Sequence, residues 1–497
     1  MKYEFRRDFY NLVMESIENN SVTFLIGTRK CGKTVCLGQI HETLSNSSYI
    51  DLKKSASFEE KMNKFYKILD AIQADEEHVF LLDEITYMPD AEARICEIAN
   101  ELTMANNKNT KIVFTGSQSV ALNAWANRAF AGNVGKVKVD FLTYSEFLRY
   151  KNITEVSPAT YNRFLYEAAD FYNFSSLEDY IEGCLEETII SNANAANYIF
   201  DNECDLIKDN PKLLINICYQ TMFTLHNQVS ANTFFKNDKL KETIIGTFHE
   251  VCRKIGNKTV AEKIEKSFVG GYNNIKSQDL RTLKQAFVFL KQCGLITITP
   301  IARDMENVPN VYRGMCLDDS DIDCKRDLFR KFGVTINYPM FYVQMLKDVL
   351  QEDMPECLPG SILGSIVECH ARGLLPAGFE LHPISDGEDE VEKEIDYVNL
   401  SDGIATELTI SEKHKLYFDI LPEYIDCICL TKNENSEKND VRYIDYCSYL
   451  FDLSNKRYMS RNFSKKIQQR MKKVKGSFKN LEKQNEKILP ISPPDSL

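Results

Sequence analysis

The 497-residue chain reads as an α/β protein in three parts: a three-layer phosphate-loop domain, a mostly helical region, and a second α/β unit. Three observations predict this. The apolar, β-branched run Val22 to Ile26 enters Gly27-Thr28-Arg29-Lys30-Cys31-Gly32-Lys33-Thr34, and an amphipathic helical pattern follows. A second apolar run, HVFLLDE from His78, ends in Asp83 and Glu84. After Tyr150 the period-two and continuous apolar runs give way to three- and four-residue spacings.

The first stretch is G-x-x-x-x-G-K-[ST] in its required strand–loop–helix setting. Glycines let such a loop fold tightly, so that backbone N–H groups surround phosphates at a helix N-terminus. Residues Gly27 to Val35 are thus the expected nucleotide-binding segment, with Lys33 reaching the β- and γ-phosphates and Thr34 holding Mg²⁺. ATP and Mg²⁺ are the expected cofactors.

Asp83 is placed to hold the Mg²⁺ shell, and Glu84 to orient or deprotonate the attacking water. A third strand, from Lys111 through Thr115, Gly116 and Ser117, ends in hydroxyl residues. Thr115 and Ser117 are candidates for sensing the γ-phosphate, although strand ends are commonly polar anyway.

These elements, in this order, resemble the AAA-type ATPases of bacteria and archaea. They are most similar to the archaeal-type subgroup, in which a compact ATPase core precedes helices and a C-terminal nuclease-like domain. The likeness rests on Arg6-Arg7-Asp8-Phe9-Tyr10, on Arg29 within the loop, on LLDE and on FTGSQS from Phe114. Asp140-Phe-Leu-Thr-Tyr-Ser-Glu146-Phe147-Leu148 is similar to the signature that closes the family's core. The resemblance covers the first 150 residues well and the remainder loosely. The family carries Gly-Arg shortly before that signature, whereas Gly132 is followed by Asn133 here. The arginine finger is therefore unassigned, with Arg128 the nearby candidate and a solvated surface arginine its plainer reading.

Composition bounds the rest. A 43% hydrophobic content is that of a globular chain, and no segment has the uninterrupted apolar length of a membrane span. MKYEFRRDFYN lacks an apolar signal core, so a cytosolic protein is expected, and the family resemblance implies a prokaryotic one. Fifteen cysteines lack a C-x-x-C pair, and the close pair Cys427 and Cys429 would share one strand face without forming a metal cage. Reduced, mostly buried thiols follow. Cys31, within the loop, is read as inert rather than oxidation-sensitive.

Residues 1–150 are assigned to the ATPase core and 151–305 to a helical and winged-helix-like domain. Helical spacing runs from Tyr161 to Asp170 and from Leu177 to Ser191, and Asp209-Asn210-Pro211 marks a break. Leu280, Leu283, Phe287 and Leu290 share a helix face, Gly294 stops it, and LITITP follows. This resembles a winged-helix end, a fold that binds DNA or serves only for packing. Lys276, Arg281, Lys284 and Lys291 give a modest basic tally without a base-reading pattern.

Residues 306–455 resemble a PD-(D/E)XK nuclease core, from Asn337-Tyr-Pro339 onward. The resemblance implies a metal site made of Glu368 on a helix, Asp396 on one strand and Glu407 on the next. Thr409 stands where the family has its catalytic lysine, with Lys413 and Lys415 nearby, and the acidic run Asp386 to Glu394 lies beside the site. A retained but catalytically silent nuclease fold is the favoured reading, and an ATP-regulated nuclease the alternative.

Residues 456–497 form a basic tail. Twelve Lys and Arg against Glu482, Glu486 and Asp495 make it about +9, which against the chain's −12 leaves about −21 in the body. Phe463, Ile467, Met471, Val474, Phe478 and Leu481 make one face of an amphipathic helix. It could dock on the body, bind nucleic acid or lie on an anionic membrane, and the apolar stripe favours docking. The expected function is an ATP-driven conformational switch, possible as a homo-oligomer, with a non-hydrolysing ATP-binding scaffold as the second alternative.

Overall fold

The computed structural model describes residues 5–55, 57–130, 134–172, 176–194, 211–223, 293–302, 332–350, 354–358, 360–376, 378–381, 395–400, 402–408, 416–432 and 435–457, with isolated positions 278, 282, 286, 289–291 and 410. Gly132 and Asn133, the lysines and arginine at 276, 281 and 284, Thr409, Lys413, Lys415, the acidic run 386–394 and tail residues 458–497 lie outside the described residues. No helix among the described residues is long and apolar enough to cross a membrane.

The first 150 residues form a three-layer unit. Its strands are β1 (Val22–Gly27), β2 (Ser47–Asp51), β3 (Val79–Asp83), β4 (Lys111–Gly116) and β5 (Gly135–Val139). They pair in the order β2-β3-β4-β1-β5, with every pair parallel. Helices α1 (Phe9–Asn19) and α2 (Lys33–Thr43) cover one face, and α3 (Phe58–Gln73), α4 (Ala91–Met104) and α5 (Ser119–Phe130) the other. The strands read as continuous apolar runs because both faces are buried. Alternate residues separate as a period of two requires: Leu25, Leu81 and Val113 pack under α1 and α2, while Phe24, Leu82 and Phe114 pack under α3 to α5.

Helix α6 (Tyr144–Tyr150) closes this unit. Thr143 caps it, accepting from the Glu146 N–H, and the Glu146 carboxylate accepts in return from the Thr143 N–H at 3.0 Å. Glu146 also accepts from the Asp8 N–H at 2.8 Å and forms two 2.8 Å bonds with the Arg7 guanidinium. Arg7 then donates to the Cys31 carbonyl at 3.1 Å and the Asp140 carbonyl at 3.0 Å. Both charged side chains are buried. The opening and closing segments are thus joined beneath the phosphate loop.

Beyond the core run α7 (Pro158–Glu167), α8 (Leu177–Asn194) and α9 (Pro211–Phe223), close to the helical spans expected. Pro158 begins α7 after the Ser157 cap, and Pro211 begins α9, positions at which the missing N–H is harmless. Strands β6 (Ile296–Ala302) and β7 (Phe332–Ile336) follow, then α10 (Pro339–Leu350) and α11 (Gly360–Leu374). Next come β8 (Phe379–Leu381), β9 (Ile395–Asn399), β10 (Ile404–Glu407), β11 (Asp426–Thr431), β12 (Ser436–Lys438), β13 (Val441–Asp445) and α12 (Tyr446–Arg457).

These strands make one sheet in the order β12-β13-β11-β10-β9-β8-β6-β7. The segment expected to end a winged-helix-like region is β6, which pairs with β7 and, through Ile301 and Ala302, with β8. Strands β8, β9 and β10 form an antiparallel meander, and β11 lies parallel to β10. Cys427 and Cys429 share one buried face of β11, and the described cysteines form no disulfide.

The two sheets meet at Asp140, which follows β5. Its carboxylate pairs with Arg457 at the end of α12, Nε at 2.8 Å, and accepts from the Tyr338 hydroxyl at 2.5 Å. Burial acts to raise its pKa, but the Arg457 charge, then Lys138 and the hydrogen bonds, hold it down at about 2. Glu146 is likewise raised by burial and brought below the usual carboxylate value by Arg7.

Removing one partner of a buried pair leaves the other charge stranded, at a cost of about 3–5 kcal/mol. Glu146→Gln and Arg7→Met are each expected to lower the urea midpoint by a corresponding amount. The paired double variant Arg7→Met/Glu146→Leu should lose less than the sum of the two. Both folded carboxylates titrate below an unfolded carboxyl, so each stabilises the fold above about pH 4, and that share is lost as pH falls below its folded pKa, about 2 for Asp140. Equal acid midpoints for Glu146→Gln and the parent would refute this account of the pair.

Candidate nucleotide site

The phosphate loop lies between β1 and α2, at the C-terminal edge of the first sheet where β1 and β4 adjoin. Ligands in open α/β sheets bind at this edge. Gly32 has φ +98°, a left-handed conformation that favours glycine at the helix entry. At Gly27 a Cβ atom would lie 2.2 Å from the Val139 carbonyl oxygen, so only glycine allows β1 to pass β5 there.

Lys33 is buried, and its ammonium donates to the Gly27 carbonyl at 2.8 Å and the Thr28 carbonyl at 2.6 Å. It folds back on its own loop, an arrangement that incoming phosphate oxygens would replace. Cys31 is fully buried, and burial raises its thiol pKa despite the nearby Lys33 charge. That agrees with the inert reading. Lys30 and Val35 lie at the outer and inner rim, Lys30 exposed with φ +61° and Val35 half-buried in the first turn of α2.

Asp83 ends β3 and is buried. One carboxylate oxygen accepts from the Tyr49 hydroxyl of β2 at 2.7 Å, and the other, Oδ1, is buried without a hydrogen-bond partner. Burial raises the Asp83 pKa, opposed by the Tyr49 and Thr34 hydroxyls and by the Lys33 charge. Asp83, Thr34 and Lys33 therefore lie together. A buried carboxylate oxygen with nothing to accept from, beside a helix-entry hydroxyl, suits a divalent cation. Mg²⁺ in such a site keeps waters and phosphate oxygens as further ligands. Among the described residues no cluster of three or more His, Cys, Asp or Glu side chains could hold a metal ion.

Glu84 has φ +54°, a left-handed backbone that costs a non-glycine residue about 1 kcal/mol or more. Its carboxylate accepts from the Ser117 N–H at 3.1 Å and the Ser117 hydroxyl at 2.8 Å. Burial raises its pKa, with Lys33 opposing and Glu187 adding to the rise. Of the two strand-end hydroxyls, Ser117 is the one that faces the acidic pair. Thr115 is fully buried and donates to the Leu25 carbonyl of β1 at 3.1 Å, so its hydroxyl serves the sheet.

Glu187 was given no part by the sequence. It projects from α8, is 6% exposed, and its Oε1 lies 3.2 Å from Arg29 Nε and 3.3 Å from Lys53 Nζ. Its Oε2 is buried without a hydrogen-bond partner. A Cβ on Gly183, one turn earlier, would fall 1.4 Å from Arg29 Nη1, so the arginine lies directly on α8. Gly294 packs on Thr28, where a Cβ would meet the threonine methyl at 2.3 Å. Elements beyond the core therefore rest on Thr28 and Arg29. No local pattern could announce Glu187, because its partners are more than 130 positions away.

Arg128 lies in the last turn of α5 and pairs with Glu92 at 3.0 Å, half exposed. Glu368, Asp396 and Glu407 are all buried on α11, β9 and β10. The charge beside them is Arg372, whose guanidinium lies 2.7 Å from Glu368 and 2.6 Å from Glu380. Burial would lower the Arg372 pKa, but Glu380, then Glu368 and Asp396, raise it. Asp396 also accepts from the Leu408 N–H at 2.7 Å. The Arg372 guanidinium thus offsets the charge of Glu368, Glu380 and Asp396.

Residues 19–148 match the family model described as an AAA domain. The chain also shows structural likeness to AMPPCP-bound DnaA from Aquifex aeolicus, at 16% identity and TM-score 0.24, covering 59% of this chain and 95% of that one. Cdc6p from Pyrobaculum aerophilum follows at 11% identity and TM-score 0.23, covering 70% and 92%. The Aeropyrum pernix ORC1 protein in complex with DNA has 11% identity and TM-score 0.22, covering 69% and 91%. Scores this low carry no function across. No curated protein matches the chain significantly.

Asp83 titrates above an unfolded carboxyl, so near neutral pH its buried charge works against the ligand-free fold. Asp83→Asn is expected to raise the melting temperature of nucleotide-free protein by about 2–4 °C and to abolish the further rise given by Mg²⁺ with ATP. Thermal denaturation with and without Mg-ATP measures both.

Proposed function

We propose that this protein binds Mg-ATP in the Gly27–Val35 loop, hydrolyses it, and uses the nucleotide state to shift α8 against the core. The convergence of Lys33, Thr34 and Asp83, with Asp83 Oδ1 buried and unpartnered, carries the reading. Lys33 moves from its loop carbonyls to the β- and γ-phosphates. Thr34 and Asp83 would hold Mg²⁺, which neutralises charge on the phosphate oxygens. Glu84 orients the attacking water once released from Ser117, and burial, which raises its pKa, makes it a stronger base. Ser117, freed in turn, faces the γ-phosphate.

Arg29 supports the coupling. While it is paired with Glu187 it is not available to phosphate, so basal turnover is slow and α8 is held on the loop. ATP phosphates compete with the Glu187 carboxylate for Arg29, and binding loosens α8.

Lys33→Ala is expected to abolish ATP binding or hydrolysis, and Glu84→Gln to keep binding while stopping turnover. Equal phosphate release by Glu84→Gln and the parent would remove Glu84 from its role. Glu187→Gln should tighten ATP several-fold in a fluorescent-nucleotide titration and speed proteolysis at α8. Weaker ATP binding in that variant would end the coupling scheme.

The nuclease-like region fits a silent fold, and Arg372 is the observation that supports this. Plasmid and linear DNA should survive incubation with Mg²⁺ or Mn²⁺, with or without ATP. Cleavage that disappears in Asp396→Ala would establish the nuclease alternative.

A further inference from the structure

Lys53 lies just past the end of β2, at the sheet edge that also carries the acidic pair. Asp51 stands opposite Asp83 in the β2–β3 register, and the Leu52 N–H donates to the Asp83 carbonyl at 3.1 Å. Lys53 therefore leaves the sheet beside Glu84 and the short helical turn Ile85–Tyr87, on which α8 packs. Its ammonium lies 5.4 Å from the centre of the Tyr87 ring and 3.3 Å from Glu187 Oε1. Arg29 Nε lies 3.2 Å from that same oxygen. Burial raises the Glu84 pKa, Lys33 opposes, and the Glu187 charge adds to the rise, which places Glu187 and its two cations beside Glu84.

Two cations on one carboxylate oxygen are more than a counter-ion role requires. Arg29, on the loop, balances Glu187 by itself, and the face of the Tyr87 ring attracts Lys53 without help from Glu187. The Lys53 side chain is also half exposed, so it can exchange a carboxylate oxygen for a phosphate oxygen with little desolvation. In hydrolysis a water oxygen bonds to the γ-phosphorus and Glu84 takes the water's proton. The bond from phosphorus to the bridging oxygen breaks, leaving its electron pair on ADP. Charge on the other γ-oxygens needs a positive partner in the transition state. Arg128, the sequence candidate for that task, is paired with Glu92 in the last turn of α5.

We propose that Lys53 is a catalytic residue that leaves Glu187 for an oxygen of the γ-phosphate, alongside Arg29. The two supply from within one chain the charge that an arginine finger brings from a neighbour. This rests on the Mg-ATP reading of the phosphate loop and adds that turnover needs no second subunit.

The test compares ATP with ADP on the full chain by fluorescent-nucleotide titration in Mg²⁺, because only ATP carries the γ-phosphate. The Glu84→Gln chain serves as parent, to keep ATP intact. Adding Lys53→Met should weaken ATP at least ~5-fold and ADP less than about twofold, the ADP value showing that the site is still folded. With Glu84 in place, Lys53→Met should slow phosphate release at saturating ATP on the order of 10²-fold. If Lys53 only balanced Glu187, adding Glu187→Gln would restore the rate; the double variant should stay slow. The rate per molecule of the unaltered chain should be constant over about a hundredfold range of protein concentration. Mixing Lys53→Met with Lys33→Ala should restore nothing. An unchanged preference for ATP over ADP, a rate recovered through Glu187→Gln, or turnover recovered by mixing overturns the proposal while leaving the nucleotide site intact. A parent that binds neither ATP nor ADP would overturn the nucleotide reading and this proposal with it.

Discussion

The buried pair between Arg7 and Glu146 is the constraint on which the first unit depends. Arg7 precedes the first helix and Glu146 caps the helix that closes the core, so the pair fastens the two ends of the unit. The same guanidinium holds the Cys31 carbonyl inside the phosphate loop and the Asp140 carbonyl after β5. Desolvating both charges is expensive, and the pair is tolerable because nearly every polar atom of both groups is satisfied. Specificity follows from that requirement. A loop or strand displaced by an ångström or two would leave a buried charge without its hydrogen bonds.

The nucleotide site is built on the opposite principle. Asp83 and Glu84 are buried carboxylates whose environments raise their pKa, Glu84 sits on a left-handed backbone, and Asp83 Oδ1 has no partner. None of this favours the empty fold. In the proposed reading a divalent cation would supply the partner that Asp83 Oδ1 lacks, and the scaffold around Arg7 and Glu146 holds the groups in place meanwhile. Tyr49 has a part in this, since its hydroxyl fixes one Asp83 oxygen and so aims the other.

The sequence made the first unit and its motif legible because both are local. Continuous apolar runs, a glycine pair at fixed spacing and an acidic pair at a strand end are readable without knowing what else is near. Thr115 shows where that stops: its polarity suggested a site residue, but strand alternation turns its hydroxyl towards Leu25. Glu187 and Arg372 were illegible for another reason. Each acts through partners brought together by tertiary packing, and a glutamate or arginine in a helix resembles any solvated one. The strand LITITP was visible as a strand, but not its place in the second sheet, which depends on β7 and β8 far downstream.

The contacts on the phosphate loop define how a change there could travel. Arg7 holds Cys31 from within the core, Glu187 holds Arg29 from α8, and Gly294 packs on Thr28 from the turn that leads into β6. The first is a buried pair fully satisfied without nucleotide. The second joins a partly exposed arginine to a carboxylate with one oxygen unpartnered. In the proposed coupling, phosphates that draw on Arg29 would act against the weaker attachment and leave the stronger one in place. Because Gly294 touches Thr28 without room for a Cβ, a movement of Thr28 would press on the turn that leads into β6. The loop is thus held by a satisfied buried pair on the core side and by a partly exposed one on the other, and that asymmetry would give the proposed motion its direction.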